Sequence, residues 1–271
     1  MRTGARPAAA EPPRRIDAIL ELRHITFACE EPRRVAEFWG AALGYDTAPA
    51  GESWAARDAA GDGPELFFNR MPKSPTIELP IHLDVNTPDR EHEVRRLLEL
   101  GAKLVETKTS EVGELVETFT VMRDAEGNGF CVQGPDPRRN HPYIGNVTFA
   151  CAEPRRVVGP FWAEATGWPE QEIPEDFLQM LRNAGADVDR DFYAYYALRD
   201  PRGTPLRFLF QRREKSRPSV HPIHLDFVTE DREAEIERLT AAGATIEETK
   251  RHPERTWTVL RDPEGTPFCV E

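Results

Sequence analysis

Residues 26–35 read TFACEEPRRV and residues 148–157 read TFACAEPRRV, nine identical positions in ten at an offset of 122. A Phe-Trp pair follows each, ending at Trp39 and Trp162, and then come Gly44-Tyr45 and Gly167-Trp168. Downstream, PIHLD at 80–84 returns at 222–226, an offset of 142, and VMRDAEGNGFCVQ at 121–133 returns as VLRDPEGTPFCVE at 259–271, an offset of 138. The order is preserved, so the chain carries a duplicated module. The growth in offset places an insertion in the second copy, near 170–190. Within it, PEDFLQMLRNAG predicts a short helix, with Pro174 near its start and Gly185 closing it.

Each copy divides again into similar halves. The first begins with LRHITFAC, which alternates like a strand, then EPRRVAEFWGAALG, which has helical spacing and a closing glycine. Short strands follow, down to LFFNRM. The second half repeats the pattern with PIHLDVNT, the helix DREHEVRRLLELGA and strands from KLVET to GFCVQ. The predicted fold is therefore α+β: two tandem modules, each a pair of βαβββ units forming a curved mixed sheet with helices outside. The boundaries expected are a flexible tail over 1–16, a first module over 17–133, a linker GPDPRRNHP over 134–142 and a second module over 143–271.

Strand side chains alternate between faces. Ile25, Phe27 and Cys29 share one face of the first strand, which leaves His24, Thr26 and Ala28 on the other. By the same rule Ile81, Leu83 and Val85 oppose His82 and Asp84, and Phe130 and Val132 oppose Cys131 and Gln133. Apolar side chains belong under the helices, so the polar sets line a cavity on the far face. The second copy presents Asn146, His224 and Glu271 at equivalent positions. His, Glu and Gln from separate strands are metal-ligand types. Hydrogen-bonded structural histidines fit the same spacing, and the residues alone leave both readings open. Trp39 and Trp162 repeat in context and read as core. Trp54, Phe119, Tyr195 and Trp257 fall on strands and differ between copies, so they are candidates for an aromatic pocket lining suited to a flat or apolar ligand.

Asp and Glu number 47 against 35 Lys and Arg, a net charge of −12, which argues against a phosphate-backbone binder. No apolar stretch reaches the ~20 residues of a spanning helix, and the N-terminus lacks the apolar core of a secretory signal. The expected setting is cytoplasmic, with no nucleic-acid or membrane partner. The four cysteines form no CxxC pair, so a thiolate zinc site is not expected. Cys29 and Cys131 should face opposite sides, which excludes a disulfide between them.

The paired βαβββ pattern, the EP-R-R-V…FW helix start, the HLD strand and the RD-x-EG…FCV ending resemble the vicinal oxygen chelate superfamily, which includes glyoxalase I, extradiol dioxygenases and bleomycin-resistance proteins. The nearest likeness is to its glyoxalase-like domain subgroup. The resemblance implies ligands from first, fifth and last strands. Carried over copy by copy, it offers His24, His82 and Gln133 in the first and Asn146, His224 and Glu271 in the second. It also implies one divalent metal (Fe, Mn, Ni or Zn), or no metal in the drug-binding branch.

Two principal functions follow. One is metal-dependent lyase, isomerase or dioxygenase chemistry on a small oxygenated substrate. The other is metal-free binding of a drug or metabolite in a cupped cavity. The two modules should pair as an internal pseudo-dimer, with homodimerisation left open.

Overall fold

The computed structural model describes residues 20–72, 81–112, 115–188, 194–213, 222–253 and 255–271. The tail expected over 1–16 and the end of the insertion lie outside the described residues. The first unit comprises β1 (Glu21–Cys29), α1 (Pro32–Leu43), β2 (Asp46–Ala50), β3 (Ser53–Arg57) and β4 (Glu65–Arg70). The second comprises β5 (Ile81–Asn86), α2 (Arg90–Glu99), β6 (Lys103–Val112), β7 (Leu115–Arg123) and β8 (Gly129–Gln133). The third holds β9 (Tyr143–Cys151), a π-helical turn (Pro154–Val158), α3 (Gly159–Thr166), α4 (Glu175–Asn183), β10 (Tyr195–Arg199) and β11 (Arg207–Arg212). The fourth holds β12 (Ile223–Val228), α5 (Arg232–Ala241), β13 (Thr245–His252), β14 (Arg255–Arg261) and β15 (Pro267–Val270).

Local chemistry sets these boundaries. Pro32 opens α1, where its missing N–H costs nothing, and Gly44 closes it at φ +73°. The Asp89 carboxylate accepts from the His92 N–H at 2.9 Å to cap α2, and Asp231 caps α5 through the Ala234 N–H at 3.0 Å. The third unit departs from its siblings. Where the first copy reads VAEFW the second reads VVGPFW, one residue longer and with a proline that cannot donate. A π-helical turn absorbs the extra residue before α3 resumes. Three strands were expected after this helix. The described residues form two, with Glu170 making a single bridge to Leu198. The inserted helix α4 occupies the intervening chain, as its sequence predicts, with Gly185 at φ +90° just past its end.

The strands form two mixed sheets, so the α+β class with two repeats holds. One sheet has eight strands in the order β13-β14-β15-β12-β1-β4-β3-β2, and the other seven in the order β10-β11-β9-β5-β8-β7-β6. Neither sheet belongs to one copy. At the centre of the eight-stranded sheet β1 pairs antiparallel with β12, and at the centre of the other β5 pairs antiparallel with β9. The first unit therefore shares a sheet with the fourth, and the second with the third.

The helices cover the faces opposite the polar sets, and there the sheets share one core. Trp39 and Trp162 are 1% and 0% exposed. The Trp39 ring lies 5.6 Å from Phe27 of the eight-stranded sheet and 5.1 Å from Phe130 of the seven-stranded one. Trp162 repeats this with Phe149 at 5.5 Å and Phe268 at 4.9 Å. Each indole N–H is satisfied by a buried carboxylate, Asp124 at 3.1 Å and Asp262 at 3.2 Å. The units of a copy are thus held through their helices, while the sheets join the copies.

Candidate functional site

Because pairing crosses the copies, the polar positions regroup. His24 lies on β1 in the eight-stranded sheet, whereas His82 and Gln133 lie on β5 and β8 in the seven-stranded one. The set His24, His82 and Gln133, expected as one site, is therefore split. The set Asn146, His224 and Glu271 is split for the same reason. The eight-stranded sheet gathers His24, His224 and Glu271 around one cavity, and the seven-stranded sheet gathers His82, Gln133 and Asn146 around another.

The eight-stranded cavity is nearly filled, with a volume of about 50 Å³. His24 stacks on Phe67 at 5.1 Å, and Trp257 and Arg255 also line the space. Glu271 accepts from Arg23 at 2.6 Å and from Arg255 at 3.2 Å. Asp226 lies between the two histidines, 3.3 Å from His224 Nε2 and 3.9 Å from His24 Nδ1. Burial holds the His24 imidazole below its ordinary value, against the opposing charges of Glu65 and Asp226.

The seven-stranded cavity is open, with a volume of about 690 Å³, within the range of small-molecule sites. Repeat-related positions explain the contrast. Asn146 replaces His24, Leu209 replaces Phe67 and Phe119 replaces Trp257, each a smaller side chain. Phe119, Tyr195, Val121 and Leu209 give the cavity apolar wall, and His82, Asp84, Gln133 and Arg207 give it polar groups.

The floor of this cavity is a connected polar chain. Asp84 Oδ2 accepts from Asn146 Nδ2 and from Thr148 Oγ1, both at 2.8 Å. Asn146 Oδ1 in turn accepts from Arg207 Nε at 2.9 Å, and Gln171 accepts from the same guanidinium at 3.2 Å. The other carboxylate oxygen, Asp84 Oδ1, is buried without a hydrogen-bond partner and faces His82 Nε2 at 3.3 Å. Burial would raise the Asp84 carboxyl, but the His82 imidazole and the hydrogen bonds from Asn146 and Thr148 outweigh it. The group lies below the usual carboxylate range and is ionised at neutral pH.

Cys131 sits directly across from Asp84 on β8. Burial, and then the Asp84 charge, push its thiol far above the ordinary value, so it is not a nucleophile at neutral pH. Cys269 beside Asp226 is held the same way. None of the four cysteines forms a disulfide, and all four are buried.

Of the aromatic candidates, Phe119 and Tyr195 line the open cavity and Trp257 the filled one. Trp54 lines neither. It pairs across strands with buried Phe68 on the helix side, beneath the Arg33 guanidinium of α1. A ladder position alone did not fix its face, because the polar flanks Ser53 and Arg57 gave no clean alternation.

Sequence reasoning passed over Arg207. The signal available was the repeat. Glu65 occupies the corresponding position of the first copy, so the charge at that position is inverted between the two cavities. Glu65 is partnered by Arg57 at 2.8 Å, whereas Arg207 has no ion pair with a described residue.

The two ligand patterns differ in their fit to a metal. In the open cavity Asn146 is committed on both sides, to Asp84 and Arg207, so the family-type set Asn146, His82 and Gln133 does not fit a transition ion. In the filled cavity His24, His224 and Glu271 line one space, ligand types suited to divalent iron or manganese, with the Glu271 carboxylate engaged by Arg23 and Arg255. Among the described residues, two groups of His, Cys and acidic side chains bring their ligand atoms close together: His82, Asp84 and Cys131 in the open cavity, and His224, Asp226 and Cys269 in the filled one. No helix among the described residues is long and apolar enough to cross a membrane.

The structure is similar to that of glyoxalase I from Zea mays, with a TM-score of 0.57 at 12% identity, covering 93% of this chain and 92% of that one. It is equally similar to a putative dioxygenase from Bacillus subtilis subsp. subtilis, with a TM-score of 0.57 at 11% identity, covering 92% and 84%. At such identities the likeness concerns the fold alone. No curated protein matches by sequence. A family model, described as the glyoxalase-like domain, matches residues 24–133 and again 146–271. Two matches that together span most of the sequence settle the family: the chain belongs to the glyoxalase-like domain proteins, as a tandem pair.

Proposed function

We propose that the protein binds a small organic molecule in the seven-stranded cavity without a metal, as in the drug- or metabolite-binding branch of its superfamily. One observation carries this reading. The cavity with room for a ligand, about 690 Å³, is the one in which a family-type metal position holds Asn146, an amide already bonded to Asp84 and Arg207. The aromatic and apolar wall supplies area, and the polar floor supplies orientation.

The repeat supplies its own test. Leu209→Phe with Phe119→Trp transplants the residues that fill the other cavity. A thermal-shift screen of aromatic metabolites and drugs should yield ligands that raise Tm of the native chain, and the double variant should lose that shift. A shift that survives the double variant would remove this cavity as the site.

The gathering of His24, His224 and Glu271 supports a second reading, in which those three residues hold a divalent ion. Metal analysis of untagged protein should then find close to one ion per chain, lost in His24→Ala/His224→Ala. Absence of metal after incubation with Fe, Mn, Ni and Zn salts would discard this reading and leave the first intact.

A further inference from the structure

The open cavity holds a cation and an acceptor that the protein itself leaves incomplete. Arg207 is half-buried at the floor, and among the described residues it bonds only to the neutral amide oxygens of Asn146 and Gln171. Elsewhere the fold handles half-buried arginines differently. Arg96 grips buried Glu93, and Arg238 grips buried Glu235. Burial, and then the nearby positive charge of Arg138, weigh against the Arg207 cation, so a counter-charge placed there is rewarded. Arg207 is linked to Asp84 through Asn146, and Asp84 Oδ1, which faces His82 Nε2 at 3.3 Å, accepts no well-formed hydrogen bond. A buried acceptor without a donor costs free energy until one arrives. Phe119 and Tyr195 stand on the wall of the same space.

Resting on the reading of this cavity as a small-molecule site, we infer that its ligand is an aromatic hydroxy-acid. Its carboxylate pairs with the Arg207 guanidinium, its hydroxyl donates to Asp84 Oδ1, and its ring lies against Phe119 and Tyr195. The anion belongs on the Arg207 side, because Asp84 would repel it at the other end. A hydroxyl alone would leave the cation unmatched, and a bare acid would leave the carboxylate oxygen without a donor. The repeat agrees with this division. Next to the filled cavity, Glu65 stands at the position of Arg207, beside His24 and already paired with Arg57, and the cavity has no comparable room.

Calorimetric titration with meta- and para-hydroxybenzoate, their methyl esters and the matching methoxybenzoates separates the parts. At least one hydroxy-acid should bind about tenfold or more tightly than its ester and than its methoxy analogue, since sites with unpaired polar groups discriminate strongly. Arg207→Gln should erase the acid-over-ester preference, and Asp84→Asn the hydroxy-over-methoxy preference. Arg207→Lys, which keeps the charge and loses the fork, should retain a weakened acid preference, and it guards against a Gln variant that fails to fold. Esters binding as well as acids in the native chain would overturn the inference while leaving the cavity a small-molecule site. Failure of every acid to bind would also overturn it, and the Leu209→Phe/Phe119→Trp comparison then judges the broader reading separately.

Discussion

At the scale of single residues, the buried polar groups divide into those the fold completes and those it leaves for something else. Trp39 Nε1 and Asp124 Oδ2 belong to the first kind. Trp39→Phe removes the donor and leaves part of the indole's buried volume empty, and should destabilise the chain by about 2–4 kcal/mol, read as a lower urea midpoint at unchanged slope. Asp136 is also complete. Arg138 holds its carboxyl well below the usual range, with help from Tyr143 and Asn86 against the opposing effect of burial. Its folded value lies below its unfolded one, so its contribution is fully present above the unfolded carboxylate pKa, near 4. It is lost as pH falls below that point. Asp136→Asn should flatten that part of the stability–pH curve, which urea melts between pH 5 and pH 2 would show. Residue roles of this kind were only partly legible in the sequence. Strand alternation was enough to put His24, His82 and Asp84 on the cavity side. It could not show that Asn146 would be locked between Asp84 and Arg207, because that depends on which strands become neighbours.

At the scale of elements, the duplicated copies serve as controls for each other. The helix carrying Trp39 is regular, and its counterpart carries one extra residue, accommodated as a π-helical turn. Gly159 sits where that turn meets α3. A Cβ there would approach Tyr196 Cδ1 to 2.2 Å and the Pro154 carbonyl oxygen to 2.5 Å. The Pro154 contact is to backbone and cannot simply swing away, so Gly159→Ala should cost about 1–3 kcal/mol through overpacking, measurable as a drop in Tm. The inserted helix α4 should behave differently from α1. It buries only Leu181, whereas α1 buries eight residues including Trp39 and Phe38. Its amides should exchange with deuterium faster than those of α1; equal protection would show that α4 is anchored by more than Leu181. The existence of α4 was legible because Pro174 and Gly185 punctuate it. That the described residues of that unit form two strands in place of three was not, since the inserted chain replaced the alternating segment with residues of helical period.

At the scale of the whole molecule, the largest departure from the sequence reading is that neither copy owns a sheet. Repeat arithmetic finds units and their order, but both within-copy and across-copy pairing satisfy the same alternation. The choice is made by the central ladders, β1 with β12 and β5 with β9. This arrangement predicts the behaviour of an isolated first copy. Residues 17–133 alone would present β1 and β5 as unpaired edges, each with an apolar face, which is a template for pairing. The partner β1 has lost, β12, is the repeat of β5, and the partner β5 has lost, β9, is the repeat of β1. Two copies of the fragment can therefore complete one another about a twofold axis, with β1 of each beside β5 of the other. Sedimentation should find the fragment as a dimer that unfolds on dilution, because its stability depends on association. A folded, dilution-independent monomer would mean that the units of one copy can close a sheet by themselves. The dimer would also bring His24 of one subunit together with His82 and Gln133 of the other, the ligand set that the intact chain divides between its two cavities. A divalent ion that raises the fragment's Tm, and loses that effect on His24→Ala, would show that the division arises from the covalent pairing of two diverged copies and not from the residues themselves.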